Sequence, residues 1–360
     1  MARILMLLRT IINTITKKAA IILIFIMLAA CQPQDDLTNK RQLFVFGTVI
    51  DVVIWSDDEA RASEAVSVIS ERFNEMHTQW HAWKPGRLQS INKQLQGGQA
   101  VKLTVEESKV LKSSLKFSQL SQGHFNPLMG AVINLWGFHN DEYPITTPPP
   151  TLESINSLLE SAPQVSDIHW SDNEISSGNP NVWFDLGGIA KGYAVDVAVE
   201  ILQQHGIQHA IINAGGDLRA LGQKGETPWT IAIQSPKNWQ PLALIKVNEN
   251  EAIFTSGNYQ RYKAFDGKRY AHIIDPLTYY PVSEIVSATV IAKDGMLADA
   301  AATALVVAGK KWHLVAEQMG IAEALVVDAD NRCFATQAMR VRLSDRRITC
   351  ETPKPLTGGL

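Results

Sequence analysis

One compact α/β domain, an α+β mixture of sheets and helices over residues 42–350, is the fold class that this 360-residue sequence predicts. Three observations predict it. Runs of β-branched and aromatic residues alternate with segments whose apolar residues recur at helical spacing. No internal repeat, low-complexity tract or interdomain linker interrupts the chain. Beyond the leader, about 330 residues suffice for one large domain with a real core.

The leader comes first. Residues 1–34 hold no Asp or Glu, while Arg3, Arg9, Lys17 and Lys18 precede an apolar run from Ala19 to Ala30. That run is about a dozen residues, short of the roughly 20 that a membrane-spanning helix needs, so it reads as a secretory signal. It ends in Leu28-Ala29-Ala30-Cys31, which resembles the bacterial lipobox, where the Cys becomes the first mature residue and carries the lipid. An ordinary signal peptide or an uncleaved anchor, with Cys31 incidental, is the alternative. The lipobox reading divides the chain into a lipoprotein signal peptide (1–30), a lipidated tether (31–41), the domain (42–350) and a C-terminal tail (351–360). It implies the periplasmic side of a Gram-negative membrane, and Gln32 after the Cys, rather than Asp, leans toward the outer membrane.

The chain carries 33 Lys and Arg against 36 Asp and Glu, and losing the four basic leader residues takes the formal charge from −3 to −7. A mildly acidic chain without a basic block is unsuited to nucleic acid. Beyond Cys31 only Cys333 and Cys350 remain. They either close a C-terminal disulfide loop in an oxidising compartment or stay as two buried thiols.

Along the domain, Leu43 to Trp55 reads as a strand pair or one long bent strand. Ala62, Ala65, Val66, Ile69, Phe73 and Met76 fall at helical spacing within 58–77. Thr104-Val-Glu-Glu107 matches a capping box and opens a helix that ends before Gly123. Tyr143 to Pro150 is a loop by composition, and Thr151 to Leu159 another helix. Strands follow near 208–213, 228–234, 243–248, 286–293 and 322–328, and helices near 188–204, 296–308 and 311–319, with antiparallel pairing between 228 and 248.

Several segments can carry chemistry. In Asp185-Leu-Gly-Gly-Ile-Ala-Lys-Gly192, an apolar run leads through paired glycines into a helix. Glycines let a backbone approach a ligand, and a helix N-terminus offers free N–H groups, so Lys191 about one turn inside can reach a phosphate. A plain strand-to-helix turn with a solvated Lys191 fits equally well; neither dinucleotide nor Walker spacing is present. On the Ala-rich segment Met296 to Val307, Asp299 and Thr303 stand one helical turn apart on one face. A carboxylate and a hydroxyl so placed suit Mg²⁺, or else a dipole-favoured Asp and a Thr bonded to its own helix. His272-Ile-Ile-Asp-Pro276 lies at a strand-to-loop transition, where His is either a proton carrier or a structural partner. Asn213-Ala-Gly-Gly-Asp217 and Thr255-Ser-Gly-Asn-Tyr259 read as ligand loops or plain turns, and Trp80-His-Ala-Trp83 as a stacking surface or core.

Together and in this order, these segments resemble the ApbE family of FAD:protein FMN transferases, from about Phe46 to Gly309. The pieces are Phe46-Gly-Thr48, Gly123-His-Phe-Asn-Pro127, Asp185 to Gly192, Asn213 to Asp217, Thr255-Ser-Gly257, His272 to Pro276 and Ala298 to Thr303. The resemblance implies an ApbE-like domain that uses FAD as substrate with Mg²⁺ on its pyrophosphate. It implies Asp299 and Thr303 as metal-binding side chains, Gly188 and Ala302 as backbone or near-shell contributors, and His272 as general base. It implies nucleotide contacts from Phe46, Asn126, Pro127, Leu128, Asp185, Lys191 and Ile273, with Trp83 the candidate for the flavin-side aromatic. The implied reaction moves FMN from FAD to a Ser or Thr hydroxyl of an acceptor protein and releases AMP. The implied acceptors are membrane redox subunits with a flavinylation segment exposed to the periplasm. Water as acceptor would make a periplasmic FAD pyrophosphatase, and loss of the chemistry a flavin-binding lipoprotein. This sequence departs from the family's pattern at Phe46 (usually Met), at Asn126 and Leu128 (usually Asp and Thr), at Asn258 (usually Asp) and at Tyr279 (usually Gly). Those changes bear on flavin affinity and substrate choice more than on the metal or the base.

Overall fold

A computed structural model describes residues 37–140, 145–259, 261–343 and 349–353. The chain divides into two compact units, Met1–Thr38 and Asn39–Leu360. Only Leu37 and Thr38 of the first are described, so the signal peptide and Cys31 lie outside the described residues.

The second unit is organised by one eight-stranded sheet whose spatial order repeats the chain order: β1 (Thr38–Val45), β2 (Thr48–Trp55), β3 (Ala210–Ala214), β4 (Asp217–Leu221), β5 (Ala252–Gly257), β6 (Ile285–Ala292), β7 (Glu323–Asp328) and β8 (Cys333–Ala335). From β2 onward every neighbouring pair is antiparallel. The segment 43–55 is therefore a strand pair rather than one bent strand. Phe46 (φ 56°) and Gly47 (φ 72°) make its two-residue turn, and two positive φ values match the twist of a tight hairpin.

Alternation assigns the faces of the sheet. Phe254, Val290 and Val326 join the main core beneath the helices, whereas Ile253, Ile291, Leu325 and Val327 join a second core under the hairpin Trp229–Gln234/Pro241–Val247. That hairpin is the antiparallel pair expected from the sequence.

On the helical face, α1 (Glu59–Gln79) starts at Asp58, whose side chain accepts from the Arg61 amide, and buries the six apolar residues that the spacing picked out. Next come α2 (Arg87–Gln96) and α3 (Val105–Leu120), the latter opened by the Thr104–Glu107 capping box. After α4 (Gly130–Trp136) and α5 (Leu152–Glu160), two helices form the centre: α6 (Ala190–Gln204) and α7 (Gly295–Val307). Helix α7 packs on β5, β6, α3, α6 and α8 (Trp312–Gln318), which explains its composition: a helix covered on all sides has no polar stripe. A short α9 (Gln337–Arg342) precedes the C-terminal segment.

Sequence reading missed β4, α2 and α4, and it ended β5 before Thr255. Both strands carry small or polar residues where they meet the functional region, so their apolar alternation is broken. Thr255 to Gly257, read as a loop after a strand, are the last residues of β5 itself.

Cys333 and Cys350 are disulfide-bonded, with Cα atoms 4.6 Å apart and a sequence separation of 17. Closing a loop of that length stabilises by about 3 kcal/mol through the unfolded chain. The C350S variant is expected to lose roughly that much stability in urea unfolding. An unchanged midpoint would mean that the bond constrains nothing.

Candidate functional site

The site is built at one end of the sheet, where the β3–β4 turn, the end of β5 and the N-terminal ends of α6 and α7 converge. Its scaffold is a pair of glycines. A Cβ on Gly192 would fall 2.2 Å from the Gly295 carbonyl oxygen, and one on Gly295 would fall 2.6 Å from the Gly192 oxygen. The two backbones therefore touch, as only glycine allows. Asp196 fastens the contact: both its carboxylate oxygens accept from the Gly295 amide (3.1 and 3.0 Å), and it pairs with Arg219.

This approach brings the Gly192 amide within 3.0 Å of Asp299 Oδ2. Lys191 turns to the other side and forms an ion pair with Asp217, whose second oxygen accepts from the Thr255 amide at 2.9 Å. Helix α6 begins at Ala190, so Lys191 lies in its first turn rather than one turn inside, and it is not solvated alone. Burial works against the Lys191 ammonium, but Asp217 and Asp299 outweigh it and hold the pKa above the ordinary value. Burial, against the attraction of Lys191, pushes the Asp299 carboxyl up, and Asp217 adds to the rise.

With Asp299 ionised, two buried carboxylates would face one ammonium and carry a net negative charge, which a cation would compensate. The donors around it are oxygens. Asp299 is one turn from Thr303, whose hydroxyl lies 3.0 Å from Ser256 Oγ. Gly188 lies against both Thr303 and Phe125, since a Cβ there would come 3.4 Å from Thr303 Oγ1 and 3.2 Å from the Phe125 ring. Ala302 is inside α7, so its carbonyl belongs to the helix ladder and can serve a metal only through its second lone pair. Among the described residues no group of three His, Cys, Asp or Glu side chains forms a metal cage. One carboxylate with hydroxyl and carbonyl oxygens suits Mg²⁺, which keeps water and phosphate oxygens in its shell, better than it suits a softer metal.

Across from Lys191, the hairpin Tyr262–Phe265/Lys268–Ala271 leads into His272. The His272 amide and its ring Nδ1 both meet the Arg261 carbonyl oxygen, at 3.1 and 3.0 Å. A carbonyl only accepts, so Nδ1 carries the proton of the neutral ring and Nε2 keeps its lone pair. Burial lowers the His272 pKa to about 4; the bond to Arg261 opposes this, while the charges of Arg261 and Lys191 deepen it.

Asp185 stands at the turn before α6. Its amide donates to the Pro127 carbonyl (2.8 Å), and its Oδ1 accepts from the Gly187 amide (3.0 Å). Burial raises its pKa, against the Gly187 bond and the Arg261 charge. Asn126 uses its side-chain oxygen to accept from the Leu128 amide at 2.9 Å, so it shapes the turn beside Asp185. Pro127, Leu128 and Ile273 are buried, and any nucleotide contact from Leu128 would come from its backbone. Phe46 and Trp83 lie at the margin. Phe46 packs on Phe73 and His77, and its turn neighbours the β3–β4 turn, where a Cβ on Gly215 would meet Thr48 at 2.4 Å. Trp83 lies 6.0 Å from Trp183 and 6.1 Å from His139, and its buried indole N–H has no acceptor among the described residues.

The fold thus links the segments around 126–128, 185–192, 213–217, 255–256 and 299–303 through direct contacts, while His272 feels the charge of Lys191 and Ile273 packs in the main core. Asp217 and Ser256 went unassigned to the site although they fell inside segments already singled out. Asp196 lies four residues beyond the Asp185–Gly192 segment and carries no role in the sequence reading. Arg261 lies in no motif, and only the hairpin register exposes it.

The sequence profile of the ApbE family matches residues 46–326. The chain is 39% identical over 329 residues to the FAD:protein FMN transferase of Rhodobacter capsulatus, covering 90% of this chain and 61% of that one. It therefore spans less than two thirds of that relative's length. Over 315 residues it is 30% identical to the FAD:protein FMN transferase of Haemophilus influenzae, covering 84% of this chain and 90% of that one. Among solved structures, the ApbE protein of Thermotoga maritima matches with a TM-score of 0.78 at 29% identity, over 86% of this chain and all of that one. The flavin transferase ApbE of Vibrio cholerae matches at 0.74 and 28% identity, over 85% of this chain and all of that one.

A titration follows from the His272 environment. In the ligand-free protein its ring is expected to titrate near 4 rather than at 6.5, as read by NMR. Because the folded pKa lies below the unfolded one, the unfolded chain takes up the proton first as pH falls. The associated stability is complete above the unfolded value and is lost as pH drops toward the folded one. A midpoint at the ordinary value would mean that the ring is open to water.

Proposed function

The chain belongs to the ApbE family, and from that premise we propose that it is a Mg²⁺-dependent FAD:protein FMN transferase that modifies a Ser or Thr hydroxyl of an acceptor protein and releases AMP. The observation that carries this reading is that Lys191 acts electrostatically on both a neutral His272, whose Nε2 keeps its lone pair, and Asp299, which stands in the oxygen-rich setting it shares with Thr303.

The residues divide the work by their chemistry. His272 Nε2 takes the proton from the acceptor hydroxyl as its oxygen attacks the FMN phosphorus. The pyrophosphate P–O bond breaks, and AMP leaves. Asp299 and Thr303, with backbone oxygen near Gly188 and Ala302, would hold Mg²⁺. Bound there, the ion would neutralise pyrophosphate charge and ease departure of AMP. Lys191, fixed by Asp217, supplies a permanent positive charge to the same region. The turn at Asp185 to Gly188 and the backbone of Asn126 to Leu128 form the wall proposed for the flavin nucleotide. Phe46, Ile273 and Trp83 border it, and the indole N–H of Trp83 offers a ligand a donor.

A periplasmic position fits this reading. The leader and Cys31 have the form of a lipoprotein signal, and the Cys333–Cys350 disulfide supports an oxidising compartment. Replacing Cys31 with Ser is expected to abolish labelling by a fatty-acid probe and to release the protein from membranes. Retained labelling would reject the anchor.

The activity test incubates the protein with FAD, Mg²⁺ and a peptide bearing a Thr acceptor, following peptide mass and AMP together. A mass gain of FMN with matching AMP is expected, and AMP with unmodified peptide would indicate a pyrophosphatase instead. His272→Ala should lower turnover by about 10²–10⁴-fold while FAD still binds. Asp299→Ala should weaken the Mg²⁺ dependence and the rate together; an unchanged metal titration would remove Asp299 from the site.

A further inference from the structure

We infer that Arg261 is a positioning residue for His272: its side chain locks the hairpin that fixes the orientation and tautomer of the base. The inference deepens the proposed function and rests on His272 being the base of that reaction.

The argument begins with register. In the hairpin, Tyr262 pairs with Ala271 and Phe265 with Lys268, so the next pair outward is Arg261 with His272. The bond from the His272 amide to the Arg261 carbonyl (3.1 Å) continues that ladder, and the ring Nδ1 reaches the same oxygen at 3.0 Å. One carbonyl thereby holds both the backbone and the ring of His272. Any drift of Arg261 moves the ring or frees it to change tautomer.

Drift is what the side chain prevents. The Arg261 guanidinium donates to the carbonyls of Phe138 (2.5 Å) and Asn140 (2.8 Å), which follow the left-handed Gly137 cap of α4. These bonds join parts of the chain more than 120 residues apart and tie the hairpin to the segment after α4. The Ala264 amide, bonded to the Ile145 carbonyl at 3.2 Å, joins the same two regions a second time. Both bonds leave from one terminal nitrogen, Nη2, whose two hydrogens serve one carbonyl each, and the rigid guanidinium plane fixes where those hydrogens point.

Charge gives the arrangement a second effect. The guanidinium acts electrostatically on His272 and on Asp185, and Lys191 is the other cation acting on His272. Two fixed positive charges favour the neutral ring, the form that accepts a proton. A lysine at 261 would keep the charge while losing the rigid plane that aims the two Nη2 hydrogens.

The test is a double-mutant cycle read alongside NMR of the His272 ring nitrogens, both on the full chain. Arg261→Gln is expected to lower kcat about 10- to 100-fold, since a small misplacement of a catalytic group costs that much. In a His272→Ala background the same change should cost less than about threefold, because the residue acts through the ring. Arg261→Lys should recover part of the rate. The NMR arm needs no turnover: the wild type should show one Nδ1–H tautomer, and Arg261→Gln a mixture. If Arg261→Gln does not fold, Arg261→Lys carries both arms, with an intermediate rate and partial tautomer mixing expected. An equal loss of rate in both backgrounds, or an unchanged single tautomer in the variant, would overturn the inference. Failure of the wild type to transfer FMN at all would instead reject the proposed function, and the tautomer result would still decide the role of Arg261.

Discussion

The closeness of two helices governs this structure. Helices α6 and α7 meet backbone to backbone at Gly192 and Gly295, at a separation that no side chain could share. That contact places an amide of α6 on a carboxylate of α7, and it sets Lys191 between Asp217 and Asp299. The Ala-rich composition of α7 has the same cause. A helix pressed between a sheet and several other helices needs small residues to come near enough, and its two polar side chains, Asp299 and Thr303, meet polar partners on α6 and β5. Helix propensity alone would have been satisfied by leucine at many of these positions.

Holding charges in such a place is costly, and the arrangement limits the cost by sharing partners. Asp217 serves Lys191 with one oxygen and the Thr255 amide with the other. Asp196 also serves two partners, Arg219 through Oδ1 and the Gly295 amide through both oxygens. Each carboxylate ties a helix terminus to a strand, so the electrostatics and the alignment of the sheet end are one device. The exception is Asp299, which has a single amide for support and feels a second carboxylate nearby. A buried anion left short of positive charge is poor structure and a good ligand, and this imbalance separates Asp299 from the other two.

The sequence showed the framework well and the site only in pieces. Helices α1 and α3 were legible because their signals are local: the spacing of Ala62 to Met76, and a capping box at Thr104. The Gly-Gly turn, His272 and the Asp299–Thr303 pair were legible as motifs whose meaning came from their order. Strand β4 and the end of β5 were not legible, because Asp217, Thr255 and Ser256 put polar atoms where alternation requires apolar ones. Arg261 could not have been found at all. Its importance comes from carbonyls about 120 residues away, and backbone acceptors leave no mark on residue type.

The departures from the family pattern follow the same logic. Tyr279 stands where glycine is usual, and it adopts φ 55°, the left-handed conformation that glycine would supply without strain. Its ring is buried among aromatic residues, and its carbonyl accepts from the Trp136 indole at 2.9 Å. For a bulky residue this conformation is unfavourable, so the surrounding packing must hold it. Asn126 stands where aspartate is usual and still makes the short side-chain bond that closes the turn before Asp185, since the amide oxygen is as good an acceptor for a backbone N–H as a carboxylate oxygen in that geometry. In both places the residue type changed while the backbone task was kept. The residue at 126 alters the charge beside Asp185, the one at 279 fills a buried cluster, and neither takes part in the helix contact or the hairpin on which Asp299 and His272 depend.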